Sequence, residues 1–219
     1  MSNTEMKKVS CPKCNHDNDV KIFKTVNATT DPQFRETLLA GSLFGFRCEN
    51  CGYEATLRYA SLYNDMKNRF MVYYIPEIDV EKVSDDALES EYSELGDVTR
   101  RIVGSFNDLK EKIHIFESGL DDRAIEIAKI ALKDVVAKRT GQEVTGGYFS
   151  KYSAEEGSIG FTFFVGDDSE HLVQTTRIEI YNKSVEIANV YDSSKSSRSF
   201  LLINENWARN ALYKYKKSK

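Results

Sequence analysis

Proline is scarce in this chain, at positions 12, 32 and 76, and histidine is equally rare, with three residues in 219. No apolar run approaches the ~18 residues of a membrane-spanning helix, which excludes that class. The opening Met1-Ser2-Asn3-Thr4-Glu5-Met6-Lys7-Lys8 leads into no apolar stretch, so no secretion signal is expected, and the cytoplasm is the expected location. A basic surplus is also missing. The formal charge is −4, and duplex binders ordinarily carry an excess of cations to displace counterions from phosphate. Gly-x-x-x-x-Gly-Lys-Ser/Thr, Gly-x-Gly-x-x-Gly, Gly-x-Ser-x-Gly and His-Glu-x-x-His are all absent, so no nucleotide loop, hydrolase elbow or metalloprotease helix is supported. With so few histidines, general-base chemistry would fall to carboxylates, and no pair of them stands out. The sequence leaves an enzymatic role open but points away from it. Composition is otherwise ordinary, 41% hydrophobic and 29% charged, which excludes wholesale disorder.

Cysteine is also rare, but its four residues are arranged. All lie in two pairs, Cys11-Pro12-Lys13-Cys14 and Cys48-Glu49-Asn50-Cys51, with none left over. In a chain expected to stay in a reducing compartment, such pairs point to a metal rather than to disulfides. Two intervening residues let a tight turn place both sulfurs on one edge of a tetrahedron, about 2.3 Å from zinc. Pro12 fixes φ after the first ligand. Gly52 and Asn15 follow the two second ligands, where the chain often turns left-handed. The reading is a structural Zn²⁺ site formed by Cys11, Cys14, Cys48 and Cys51. Iron also suits four thiolates, and the sequence leaves that open. A redox pair is a poorer fit, because the polar turn Asn15-His16-Asp17-Asn18-Asp19 follows the first motif where a helix should begin. His16 reads as a solvated turn residue.

The rest of the chain predicts an α+β protein. Val20–Val26 alternates as a strand, Asp31-Pro32 opens a short helix that ends at Gly41, and strands follow at 43–47, 53–59 and 69–75. This pattern is a zinc ribbon, residues 8–76, with a helix inserted in its middle. Residues 77–99 carry nine acidic groups against one basic. They contain an acidic linker, 77–97, with a helix start at Ser84-Asp85-Asp86. Ile102, Phe106, Leu109, Ile113 and Phe116 then fall at helical spacing. Leu120, Ala124, Ile127, Ala131 and Val135 do the same after Ser118-Gly119, widened by Ile125, Ala128 and Leu132. Together they predict a helical hairpin, 98–140. The period changes beyond Gly141. Strands are expected at 159–165, across 172–181 and at 185–190, then a polar loop Ser193–Ser197 and a short helix carrying Trp207, Ala211, Leu212 and Tyr215. Two domains are expected: 8–140, and a small antiparallel β-rich α+β region, 141–219.

Several motifs recur in order. The cysteine pairs flank Thr25-Val26-Asn27-Ala28, Asp31-Pro32 and Leu38-Leu39-Ala40-Gly41. Phe46 precedes the second pair, and Leu62-Tyr63-Asn64-Asp65-Met66 follows it. Together these resemble the CpXC domain family, named for two Cys-Pro-x-Cys pairs, from about Val9 to Asp121-Asp122-Arg123. The second pair here, Cys-Glu-Asn-Cys, lacks the proline. The resemblance implies a zinc-knuckle protein of bacteria or archaea, acting inside the cell, and brings no assigned reaction.

Three functions remain. The first is a non-catalytic module that binds another macromolecule, most naturally a protein. The second is a nucleic-acid binder using Lys7, Lys8, Lys13, Lys21, Lys24, Arg47 and Arg58. It is disfavoured because four thiolates around Zn²⁺ carry about −2, offsetting the local cationic excess. The third is a thiol-redox sensor or enzyme. Other isolated groups read as structural: His114 as a helix-flank residue, Asp65 as a turn or helix holder, and Asp167-Asp168-Ser169-Glu170-His171 as a hairpin turn rather than a cation loop.

Overall fold

The computed structural model describes residues 1–77, 96–167, 170–192 and 199–218. The expected helix start at Ser84-Asp85-Asp86 and the polar loop Ser193–Ser197 lie outside them. The chain is α+β, and the described residues form three sheets and five helices. They divide into two compact units, Met1–Phe106 with Arg198–Phe200, and Asn107–Ser197 with Leu201–Lys219. No described helix is long and apolar enough to cross a membrane.

The first unit is built on a five-stranded sheet in the order β1-β2-β5-β6-β7. Strand β1 (Asn3–Ser10) lacks apolar alternation and forms because the first cysteine turn folds the chain back onto β2 (Asp17–Asn27), antiparallel from Ser10↔Asp17 outward. Strands β5 (Ser61–Asp65) and β6 (Phe70–Tyr74) make a hairpin; β5 lies parallel to β2, and β7 (Thr99–Val103) lies parallel to β6. The inner strands β5 and β6 are buried on both faces, with Met71 and Val72 completely enclosed, as expected for strands covered on both sides; Val26 of β2 is enclosed as well. Helix α1 (Pro32–Leu39) begins after Asp31 as the sequence predicts. Its Asp31 carboxylate, however, does not cap the helix. It accepts the Ser2 N–H at 2.7 Å and the Thr30 hydroxyl at 2.9 Å, and these donors hold it below the usual carboxylate range. Strands β3 (Gly45–Arg47) and β4 (Glu54–Thr56) form a separate two-stranded hairpin.

One expectation fails at the end of this unit. Ile102 does not belong to the following helix but to β7, where it pairs with Tyr73. The helical spacing runs across Gly104-Ser105, and helix α2 (Phe106–Glu117) starts only after that break.

In the second unit, β8 (Val144–Ser153), β9 (Ser158–Val165) and β10 (Glu170–Arg177) form an antiparallel sheet with β9 central. Helix α3 (Asp122–Thr140) has Asp121 as its N-cap, accepting from the Arg123 N–H, and ends at Gly141 with φ 69°. Ile125, Ala128, Leu132 and Val136 pack on Phe149, Ile159, Phe161 and Val165 of the sheet. Ile127 packs instead against Ile187 and Ala188 of helix α4 (Ile178–Tyr191) and Ala208 and Ala211 of helix α5 (Glu205–Lys217). Of the expected stripe, Ala131 and Val135 are exposed, because the second half of α3 is covered on one side only.

Helix α4 is a second correction. Residues 178–181 and 185–190 were expected as strands because β-branched Ile178, Ile180, Val185 and Ile187 alternate. They are helical, and the buried residues Ser184, Ile187 and Ala188 fall at helical spacing. Packing on α3 and α5 overrides the local β preference.

This unit buries a set of paired charges. Lys112 Nζ lies 3.0 Å from Asp122 Oδ2 and 3.2 Å from Glu126 Oε1, and Lys129 Nζ lies 3.0 Å from Glu126 and 2.9 Å from Glu111. Glu111 also accepts the Phe149 N–H at 2.5 Å, tying α2 to β8. Burial lowers the Lys129 ammonium, but Glu111 and Glu126 outweigh it and hold the group above its ordinary value.

Candidate metal centre

Each cysteine pair sits at the tip of a hairpin, the first between β1 and β2 and the second between β3 and β4. The two tips share one hydrogen-bond pattern. Cys11 N–H donates to His16 C=O at 2.9 Å and Asn15 N–H to Cys11 C=O at 2.9 Å; Cys48 N–H donates to Tyr53 C=O at 2.8 Å and Gly52 N–H to Cys48 C=O at 2.9 Å. The residue after each second cysteine is left-handed, Asn15 at φ 57° and Gly52 at φ 69°. Glycine meets that geometry without strain and asparagine at small cost, so both residues have the conformational role read from the sequence.

The tips bring all four sulfurs together. Cys11 Sγ lies 3.7 Å from Cys51 Sγ, Cys14 Sγ lies 3.6 Å from Cys48 Sγ, and all four lie within 4.8 Å of one another. Bond lengths of about 2.3 Å in a tetrahedron require sulfur–sulfur edges of about 3.8 Å. The set could therefore hold a metal ion. The cysteines are free, and these separations are far beyond the ~2.05 Å of a disulfide. Cys11 and Cys48 are buried with Phe46, and Val9, Val20 and Tyr53 pack around them.

The thiols are not equivalent. Burial raises Cys48, but N–H groups of Cys51 and Asn50 and the thiols of Cys14 and Cys11 outweigh it and bring it down to about 6. The Asn50 side chain and the His16 backbone N–H lower Cys14. A Tyr53 N–H lowers Cys51, but burial and the hydrogen-bonded sulfurs of Cys14, Cys11 and Cys48 overcome it and push Cys51 up to about 12. The cluster accommodates its first negative charge readily and resists its last, which is the electrostatic demand a cation would meet.

Two asparagines escaped the sequence reading as site residues. Asn18, 3% exposed, donates Nδ2 to His16 C=O at 2.8 Å and lies 3.8 Å from Cys48 Sγ. Its Oδ1 accepts the Glu49 N–H at 2.9 Å, so one amide holds both tips in register. Asn50 Nδ2 approaches Cys14 Sγ at 3.6 Å, again from one tip to the other. Nothing in the polar run Asn15–Asp19 distinguishes Asn18, because the partners it holds on the other tip, Cys48 and Glu49, lie about 30 residues away. His16 is exposed and outside the sulfur cluster, and His114 is exposed on α2. Asp65 ends β5, accepting the Asn68 N–H at 3.0 Å and Asn68 Nδ2 at 2.7 Å, which fits the turn-holding role expected of it. Asp167 and Glu170 flank the β9–β10 connection.

Residues 9–129, more than half of the chain, match the family model described as CpXC protein, and the chain belongs to that family. No curated protein and no solved structure matches it.

Proposed function

We propose that this CpXC chain is a non-catalytic module that acts in the cytoplasm, with zinc held by Cys11, Cys14, Cys48 and Cys51 as a structural staple, and that its surfaces bind another macromolecule, a protein in preference to a nucleic acid. The hairpins β1–β2 and β3–β4 then act as the two halves of a zinc ribbon, with α1 inserted between them. One observation carries the reading: the four sulfurs lie within 4.8 Å of one another, enough ligands to fill a tetrahedral shell. A closed shell of protein ligands leaves no position for an activated water or a substrate, which is the mark of a structural rather than a catalytic zinc. Such a site adds to folding free energy directly, because the unfolded chain has no preformed cage.

Charge pairing supports a protein partner. Of the cations available for phosphate contacts, Lys7 and Lys24 both engage Glu5, Arg47 pairs with Glu54 and Arg58 with Glu77. Exposed pairs of this kind are weak, but each diminishes the unscreened positive surface that counterion release needs. Elemental analysis of the purified full chain tests the proposal. One zinc per chain is expected, with collapse of the β1–β4 region when a chelator removes it. Unchanged structure without metal, or turnover of a substrate, overturns the reading.

A further inference from the structure

Strands β2 and β3 belong to different sheets, and between them lies a cavity of about 280 Å³ lined by Asp19, Lys21 and Phe23 on one side and Gly45, Phe46 and Arg47 on the other. The direction of the main chain on each wall follows from the register. Phe23 N–H donates to the Tyr59 hydroxyl at 3.3 Å and Phe23 C=O accepts from the Ser61 hydroxyl at 2.7 Å, so the Phe23 peptide groups point away from β1. In a regular antiparallel pair every second residue does the same, which turns the N–H and C=O groups of Lys21 and Asp19 outward too. On the other wall, Phe44 C=O accepts from Leu57 N–H and Cys48 N–H donates to Tyr53, so residues 44, 46 and 48 face β4. Gly45 and Arg47 therefore face away from β4; the Gly45 N–H is already taken by Ser42 C=O at 3.0 Å, which leaves Arg47 and the Gly45 C=O on this edge. Glu49, in the turn beyond β3, donates its N–H to Asn18 on β2, and residues of both strands line the one cavity.

Two strand edges thus confront each other across a gap. The Asn18–Glu49 bond closes it at the metal end, and the Tyr59 hydroxyl on Phe23 closes it at the other. Between these stops, among the described residues, no hydrogen bond occupies the outward main chain of Asp19, Lys21 or Arg47. The five steps from Asn18 to Phe23 span about 16 Å at roughly 3.3 Å each. Phe23 and Phe46, 6% and 5% exposed, supply apolar surface beneath. Lys21 and Arg47 stand exposed at the rim.

We propose that the slot between β2 and β3 takes one extended peptide strand from a partner protein, which hydrogen-bonds to both edges and joins the two sheets in the order β1-β2-peptide-β3-β4. This deepens the reading of the chain as a protein-binding module by naming the form of its partner. Main-chain pairing supplies affinity in this mode of recognition, and side-chain pockets supply selectivity. The bound segment needs four or five extended residues with free N–H groups, and so no proline among them.

The probe is a library of random heptapeptides selected against the metal-loaded full chain. A selected peptide should slow hydrogen exchange at the Lys21 and Arg47 amides at least tenfold. N-methylation of the peptide at alternate residues, those facing the β2 edge or those facing the β3 edge, should weaken binding at least tenfold. Lys21→Pro removes an outward N–H without breaking a β1–β2 bond, and should weaken binding by a similar factor with metal content unchanged. The N-methyl series on the unaltered chain keeps the test valid should that variant fold poorly. Failure to select any peptide, or binding indifferent to N-methylation, overturns the slot. So does binding that protects other amides, which leaves the binding-module reading standing; loss of metal stoichiometry or observed turnover strikes that reading instead.

Discussion

Replacing Lys112 by methionine keeps the side chain's length and apolar stem but removes its charge from a site where Lys112, Asp122 and Glu126 are each at most 7% exposed. Two unit charges about 4 Å apart attract by about 4 kcal/mol at an effective dielectric of about 20, and the contacts here are shorter. Much of that attraction is offset by the cost of burying the charges, so the intact cluster is no large source of stability. Deleting one partner is different, because a buried carboxylate then loses its counter-ion while its desolvation cost remains, a penalty of about 3–5 kcal/mol. Glu126 keeps Lys129 at 3.0 Å, and Asp122 keeps the nearby charge of Arg123, so part of the pairing survives. We therefore expect the lower end, about 3 kcal/mol. The single tryptophan, Trp207, packs edge-on to Tyr191 in the same unit, and its fluorescence reports that unit during urea unfolding. With a slope of about 1.5 kcal/mol/M, the midpoint should fall by about 2 M. Adding Asp122→Asn should restore at least half of the loss. A Lys112→Met midpoint within 0.5 M or so of the parent, or above it, would refute the account of the cluster as a balanced charge set.

Further expectations concern the metal tips and the second sheet. Asn18→Ala removes the acceptor of the Glu49 N–H and the donor near Cys48, and should speed zinc loss to a chelator by about 10–100-fold, read with a colorimetric zinc indicator; an unchanged rate refutes its bridging role. Zinc binding at pH 7.5 should release fewer than four protons, because Cys48, at about 6, is already ionised while Cys51, at about 12, still holds its proton; calorimetry in buffers of different ionisation enthalpy measures the number. Gly147→Ala should cost about 1–3 kcal/mol in thermal unfolding, since a Cβ there would stand 2.6 Å from the Phe163 ring and force that buried side chain to shift.

What could be read in the sequence follows from how local each determinant is. A knuckle is decided within six residues: the sulfur spacing, the left-handed residue after the second cysteine and the turn hydrogen bonds all lie inside one short window. The two cysteine turns, and the left-handed Asn15 and Gly52 that follow them, were accordingly legible. Helix α1 was legible because Asp31, Pro32 and Gly41 mark its ends, although Asp31 spends its carboxylate on Ser2 rather than on the cap. Strand β1 was not, because its stability lies in its partner and its own residues are mostly exposed.

The same reasoning explains the failures in the second half. Alternating Ile and Val at 178–190 satisfy a strand and a helix about equally, and the choice is made by α3 and α5, which no local window contains. Charged residues mislead in a related way. By helical periodicity Glu111, Lys112, Asp122 and Glu126 belong to solvated faces, and a buried lysine or glutamate is rare unless paired. Here the pairing comes from different helices, Lys112 of α2 with Asp122 and Glu126 of α3, and Glu111 of α2 with Lys129 of α3 and with the β8 backbone. A charge that is costly alone becomes tolerable only when its counter-charge arrives from elsewhere in the fold. Burial of ionic groups is therefore a property of the assembled unit, whereas the cysteine turns are decided locally by the chain.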